Sequence, residues 1–262
     1  MIHLYWAGGH RHTNFGDSLS PHIVEMMTGR KVVYARPATC DMAAIGSILH
    51  KIHRKKLKRL LRGRFSPIHI WGTGAIRARK YTNRLFHIHA LRGELTRDAL
   101  QQPHSLPLGD PGLLISRFGI RAPKRFRWGI APHINYRACP TIAELHRATP
   151  NSTLIDLAAP DIRATIAAVQ SCDFIAASSL HGLVAADALG IPSLWVGPSE
   201  DPQWSWKFRD YFSAIGRTES ELHTSFLNAD LRMMENQTSC AEPERIEARC
   251  SALEQALHAI NF

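Results

Sequence analysis

Short apolar runs separated by amphipathic stretches recur along this chain. Residues 2–6, 31–34, 68–71 and 87–91 read as strands, and 43–49 as a strand or a small turn. After the first strand, a loop rich in Gly and His leads into a helix. Ser18 or Ser20 starts that helix with Pro21 in its first turn, and Gly29 ends it. A second strand-loop-helix series opens at Trp128 and continues through 154–157, a helix over 161–170 and the unit 172–196. In that unit, 173–177 suits a buried parallel strand and Ser178 and Ser179 are N-cap residue types. Residues 181–189 form a short Ala/Leu/Val helix, and Gly190 ends it before Ile191-Pro192 opens the next strand. Residues 242–260 read as a closing helix with Ile246, Leu253, Ala256, Leu257 and Ile260 on one stripe. Strands alternating with helices, twice over, predict an α/β fold with parallel sheets and a cleft between two halves. The basic, turn-rich stretch 117–127 is the linker candidate, giving a first domain at 1–120 and a second at 121–262.

Composition narrows the partners. The 262 residues suit one large domain or two smaller ones, and 45% apolar content supports a sizeable core. A net charge of +10 implies an anionic partner: nucleic acid, an anionic membrane surface, or a phosphorylated or carboxylated substrate. The strongest charge run is 51–64, where Ile52, Leu57, Leu60 and Leu61 fall roughly on one helical face. Such a segment can lie on an anionic membrane or bind a polyphosphate, and it can equally be a solvated surface helix. The five scattered cysteines include no Cys-x-x-Cys pair, so neither a zinc site nor a disulfide framework is expected and a reducing compartment fits. The first ten residues lack the marks of a signal peptide, and no run of about 18 apolar residues exists. The expected location is cytoplasmic, at most peripheral on the inner face of the plasma membrane.

The candidate chemistry clusters at strand ends. At 178–181, two hydroxyls, an imidazole and unpaired helix N–H groups meet beyond a strand, an arrangement that favours anions. The same residues also serve as N-caps beside a satisfied histidine. After the first strand, Gly16 can let backbone approach a ligand while Asn14 and Asp17 offer polar contacts, or the four residues make a capped turn. Arg92 beside Gly93 can grip a carboxylate or phosphate bidentately, or pair with Glu94. His133 follows a strand, and Lys207 lies beyond the last clear one. Gly72-Thr73-Gly74 lacks the third glycine and later acidic residue of a dinucleotide fingerprint. No Walker loop, zinc-ligand spacing or nucleophile elbow is present, so no cofactor and no metal are expected.

Taken in order, the motifs resemble the polysaccharide pyruvyl transferase family. They are Asn14-Phe15-Gly16-Asp17, Trp71-Gly72-Thr73-Gly74, Arg92-Gly93-Glu94-Leu95-Thr96-Arg97, Gly109-Asp110-Pro111-Gly112-Leu113-Leu114, Ala131-Pro132-His133 and Ser178-Ser179-Leu180-His181-Gly182. The stretch 45–50 resembles the bacterial exopolysaccharide branch, the relatives that act on xanthan- and succinoglycan-type repeat units. The resemblance implies two Rossmann-like domains around a cleft, similar to GT-B glycosyltransferases. It implies transfer of the enolpyruvyl carbons of phosphoenolpyruvate onto a sugar diol, closing a cyclic pyruvate ketal. By the same resemblance Arg92 and His181 serve phosphoenolpyruvate, and Lys207 is the nearest equivalent of a downstream lysine. His181 is then the general acid, with Asp17 and His133 as candidate bases; Ser178, Ser179, Asn14, Gly16, Gly72 and Gly74 complete the expected substrate contacts. The implied acceptor is an oligosaccharide on a lipid diphosphate, approached with the help of 51–64, and no nucleic acid partner is expected. The alternative is a GT-B-type glycosyltransferase using a nucleotide sugar. A non-catalytic basic module would also explain the charge, but the basic run lacks the interleaved aromatics of a single-strand binder.

Overall fold

The computed structural model describes residues 1–9, 14–77, 79, 81, 84–197, 202–218, 224–225 and 229–262. Residues 10–13 of the first Gly- and His-rich loop lie outside that set. The first half runs β1 (Ile2–Tyr5), α1 (Phe15–Thr28), β2 (Val32–Tyr34), β3 (Met42–Ala43), α2 (Leu49–His53), α3 (Lys56–Leu60), β4 (Ile68–Trp71), β5 (Phe86–Ala90) and α4 (Glu94–Ala99). A 3-10 helix, Pro111–Phe118, leads to the second half. That half runs β6 (Phe126–Ala131), α5 (Pro140–Ala148), β7 (Ser152–Leu154), α6 (Ile162–Gln170), β8 (Cys172–Ala177), α7 (Leu180–Ala188), β9 (Ser193–Gly197), α8 (Pro202–Ile215), β10 (Thr224–Ser225) and α9 (Pro243–His258).

The strands form two five-stranded sheets, ordered β2-β1-β3-β4-β5 and β7-β6-β8-β9-β10. Every strand pairing among the described residues is parallel. Counted from its own first strand, each sheet has the same order, 2-1-3-4-5. In that order the chain reverses direction between the first and third strands, and ligands bind outside the carboxyl ends there. The fold is therefore α/β, as the alternating pattern predicts. One continuous core includes Leu4 and Phe15 of the first half and Ile175 and Leu183 of the second.

Three local differences from the sequence reading have physical causes. Helix α1 begins at Phe15, earlier than Ser18 or Ser20, because Asn14 is its cap and its side chain accepts from the Gly16 N–H. Pro21 therefore lies inside the helix and has no N–H to give the Asp17 carbonyl. The basic run does not form one amphipathic helix. It breaks at Lys55, which has non-helical dihedrals, where like charges at positions three and four apart oppose a continuous helix. Ile52 is buried while Leu57 and Leu61 are 69% and 79% exposed, so the four apolar residues do not share a buried face. Arg59 points inward and donates to the Cys40 and Ser66 carbonyls.

The closing helix α9 follows the second half but packs on β4 and β5 of the first. Trp71 Nε1–H donates to the Leu253 carbonyl at 2.9 Å, and Ile246, Leu253, Leu257 and Ile260 of the expected stripe are buried. The connection between the sheets is shorter than the linker read from sequence. The 3-10 helix runs to Phe118 and β6 starts at Phe126, which leaves 119–125. No helix among the described residues is long and apolar enough to cross a membrane.

Candidate active site

A cavity of about 350 Å³ lies where the carboxyl ends of β1, β3, β6 and β8 meet. Each contributes through the segment that follows it. Asn14 and Asp17 come from the start of α1, Gly46 and Ser47 from the turn after β3, His133 from the turn after β6, and Ser179 to His181 from the start of α7. Lys51 of α2 and Lys207 of α8 supply the cations in the lining. The cavity thus sits at the switch point of both sheets, and two helix N-termini border it.

These two helix starts are locked together. The Phe15 N–H donates to the Leu157 carbonyl at 2.8 Å, tying α1 to the second half. Gly16 lies against the His181 imidazole, so closely that a Cβ there would stand 1.8 Å from Nδ1. Glycine at 16 therefore provides room for the imidazole. On the other side of the ring, His181 Nε2 faces the wholly buried Asp110, 3.6 Å from Oδ2, and neither atom has a hydrogen-bond partner among the described residues. Asp110 Oδ1 accepts from the Gly112 N–H at 2.9 Å, which fixes the carboxylate.

Burial sets the electrostatics of the lining. It raises the Asp17 carboxyl above the usual carboxylate range, against the opposing pull of His181, Lys51 and Lys207. It lowers the Lys207 ammonium to about 7, helped by the positive Arg92 and opposed by Asp17. It lowers His133 to about 4, with Lys207 and His181 adding to the effect, so this ring is neutral at pH 7. His133 Nδ1 accepts from the Asn135 N–H at 3.3 Å, which leaves the ring proton on Nε2. Neutral His133 is therefore a hydrogen-bond donor.

Of the other expected substrate residues, Arg92, Gly72, Gly74 and Ser178 are not in the lining. Arg92 is fully buried. Its Nε donates to Asp210 Oδ2 at 2.9 Å, Nη1 to Ser47 Oγ at 2.5 Å and Nη2 to the Ala75 carbonyl at 2.6 Å. It reaches the cavity through Ser47. Neither the expected pair with Glu94 nor a direct place in the lining is observed, and Glu94 lies near Arg97 instead. Gly74 makes room for the Arg92 guanidinium, since a Cβ there would stand 2.3 Å from Cζ. Gly72 has φ +79° and lies under Pro111. Ser178 is buried and its hydroxyl accepts from the His133 N–H at 2.8 Å, while Ser179 takes the N-cap position without a side-chain cap bond.

The sequence reading passed over Gly46, Ser47 and Lys51 as site residues, and Asp110 as a partner of His181. Gly46 and Ser47 fall in the stretch 45–50, whose resemblance was the available signal. Asp110 is next to Gly109 in a recognised motif, but its meeting with His181 comes from the fold.

The family model described as polysaccharide pyruvyl transferase matches residues 14–200. An uncharacterized protein of Acanthamoeba polyphaga mimivirus is 28% identical over 213 residues, covering 78% of this chain and 71% of its own. The crystal structure of a functionally uncharacterized protein from Klebsiella pneumoniae superposes with a TM-score of 0.50 at 12% identity, over 80% of this chain and 87% of that one, a likeness of fold. The match from Asn14 through the Ser178–His181 turn spans every motif that lines or supports the cavity except α8, and the chain belongs to the polysaccharide pyruvyl transferase family, as a transferase that acts on polysaccharide.

Proposed function

We propose that this enzyme transfers the enolpyruvyl carbons of phosphoenolpyruvate onto two hydroxyls of one sugar, forming a cyclic pyruvate ketal. The observation that carries the reading is the meeting of two helix N-termini, Lys51 and Lys207 around the Asp17 and His181 side chains in one small cavity. Helix N–H groups and cations suit a compact polyanion. In this reading the cavity is the cleft between two Rossmann-like, GT-B-like domains, 1–120 and 121–262.

His181 gives a proton to the methylene carbon, which becomes the methyl group and leaves positive charge at carbon 2. The fixed Asp110 carboxylate complements the charged imidazole. The first sugar hydroxyl adds at carbon 2 and gives its proton to Asp17. The carbon–oxygen bond to phosphate breaks, the second hydroxyl adds, and its proton leaves with inorganic phosphate. Asp17 suits the base role better than His133, because burial strengthens the hold of its carboxylate on a proton, whereas it weakens that of the His133 ring. His133 instead donates to an anionic oxygen. Arg92 is a positioning residue that holds Ser47 and, through Asp210, α8.

The acceptor in this proposal is a lipid-diphosphate-linked repeat unit of an exopolysaccharide. Leu57, Leu61 and Phe65 are exposed beside Lys55, Lys58 and Arg62, and this mixed patch suits an anionic bilayer surface. Co-sedimentation with phosphatidylglycerol vesicles tests it. Binding should fall in a Leu57→Glu, Leu61→Glu double variant, and equal binding by that variant overturns the docking surface. Arg59 is no target for this test, because it holds two backbone carbonyls.

The donor is tested by thermal unfolding with millimolar phosphoenolpyruvate, UDP-glucose and GDP-mannose. A ligand at about 100 times its Kd adds roughly 2.7 kcal/mol. Phosphoenolpyruvate alone should raise the midpoint. A rise only with a nucleotide sugar replaces this reading with a glycosyltransferase.

A further inference from the structure

We propose that His69, His87 and His89 form a binding site for a divalent transition-metal ion of the zinc, nickel or copper class. The three residues lie outside the cavity lining. They come from β4 and β5, where His69 is in register with His87. His87 and His89 are two residues apart on one strand, so they share a face. The parallel register brings His69 to that same face. The rings converge, with centroids 5.7 Å apart for His69–His87, 5.1 Å for His69–His89 and 5.0 Å for His87–His89.

The nitrogens are spaced for one ion. One from each ring lies within 4.8 Å of the other two, and His69 Nδ1 is 2.9 Å from His89 Nε2. Bonds of about 2.0–2.1 Å in a tetrahedral site set ligand nitrogens about 3.4 Å apart. That value lies between the 2.9 Å of the His69–His89 pair and the 4.8 Å within which all three nitrogens fall. Three imidazoles suit zinc, nickel or copper, whereas magnesium and calcium prefer oxygen ligands. The nearby Asp41 carboxylate is engaged by His3 at 2.8 Å and Arg64 at 3.0 Å, which leaves the fourth position to water. His87 is exposed on the edge strand β5 and gives the ion an entry path, while the Phe262 ring leans on His69 with centroids 5.7 Å apart. Without an ion, the close His69–His89 contact is a hydrogen bond between two imidazoles.

Calorimetric titration of the tag-free, chelator-dialysed chain with zinc chloride separates the two accounts. The expected result is one ion per chain, with at least tenfold weaker binding in His87→Ala and in His89→Ala. His104→Ala, an exposed histidine elsewhere, should bind like the parent, and magnesium chloride should give no saturable heat. Because His87 is exposed, its variant keeps the core, and circular dichroism checks that it folds. If His89→Ala fails to fold, His87→Ala decides alone. No saturable zinc binding, or unchanged binding by His87→Ala, overturns the site.

Discussion

Arg92 and Asp210 are 118 residues apart in sequence and 2.9 Å apart in space, with neither side chain exposed to solvent. Asp210 also accepts from the Thr96 backbone N–H at 2.7 Å and the Thr96 hydroxyl at 2.6 Å. The pair therefore fastens α4 to α8, the helix that carries Lys207. Removing one partner of a buried ion pair costs about 3–5 kcal/mol, because the other charge is left without compensation. Arg92→Ala and Asp210→Ala should each lower thermal stability by that order. A double-mutant cycle should show strong coupling, and additive effects would count against the pair. An Arg92 that only bound substrate would leave the unfolding midpoint of the free protein unchanged.

The contact between Gly16 and His181 predicts a purely steric variant. Gly16→Ala puts a Cβ where the imidazole stands and forces the ring aside. A misplacement of about 1 Å in an active site can cost 10²-fold in rate. Phosphate release from phosphoenolpyruvate in the presence of acceptor should fall by about that factor while the protein stays folded. Parent-level turnover would remove His181 from the proton-transfer role.

Asp110 should matter through His181. Loss of a positioned acid typically costs about 10²–10⁴-fold, so His181→Asn is expected in that range. Asp110→Asn keeps the shape and the Gly112 contact but removes the negative charge facing Nε2. It should lower kcat with little change in KM. The His181→Asn, Asp110→Asn pair should lose little beyond His181→Asn alone; a further multiplicative loss would give Asp110 a separate role.

The lowered ammonium of Lys207 predicts a pH dependence for the proposed binding of phosphoenolpyruvate. At pH 6 the lysine is charged in the free enzyme, and above about 7 it is mostly neutral. A bound anion favours the charged form, so binding at pH 8 should take up a proton and binding at pH 6 should not. Affinity should therefore weaken as pH rises through 7. Calorimetry in two buffers of different ionisation enthalpy reads the proton directly, and no uptake at pH 8 refutes the assignment.

Lys207 and His133 also shape stability, in opposite pH windows. In the unfolded chain the lysine stays charged up to its ordinary value of 10.5, so stability rises with pH between about 7 and 10.5. Lys207→Met should raise the midpoint most below pH 7, by about 2–4 °C for each kcal/mol relieved. His133 resists protonation down to about 4, whereas the unfolded ring takes a proton below its ordinary 6.5. It should therefore cost stability as pH falls from 6.5 to 4. His133→Asn should flatten that part of the curve in a pH series of thermal melts.

The sequence by itself determined the class of fold and the family. Short, mostly apolar runs such as 173–177 and 68–71 mark strands, because a strand against the core must place apolar residues on its covered face. Residues such as Gly29, Asp161 and Gly190 mark helix ends, because capping is local chemistry. The motifs that follow strands identified His181, Asp17 and His133 as residues at strand carboxyl ends, and all three line the cavity. Tertiary structure decided which groups meet. Arg92 carries the same guanidinium whether it faces substrate or Asp210, and only the approach of α8 commits it to the interior. Asp110 lies 71 residues before His181, and His69 lies 18 before His87. Their meetings depend on helix packing and strand register, which no local spacing encodes. The same holds for the basic run, whose composition allowed an amphipathic helix, while the inward turn of Arg59 and like-charge repulsion at its break left Leu57, Leu61 and Phe65 in solvent.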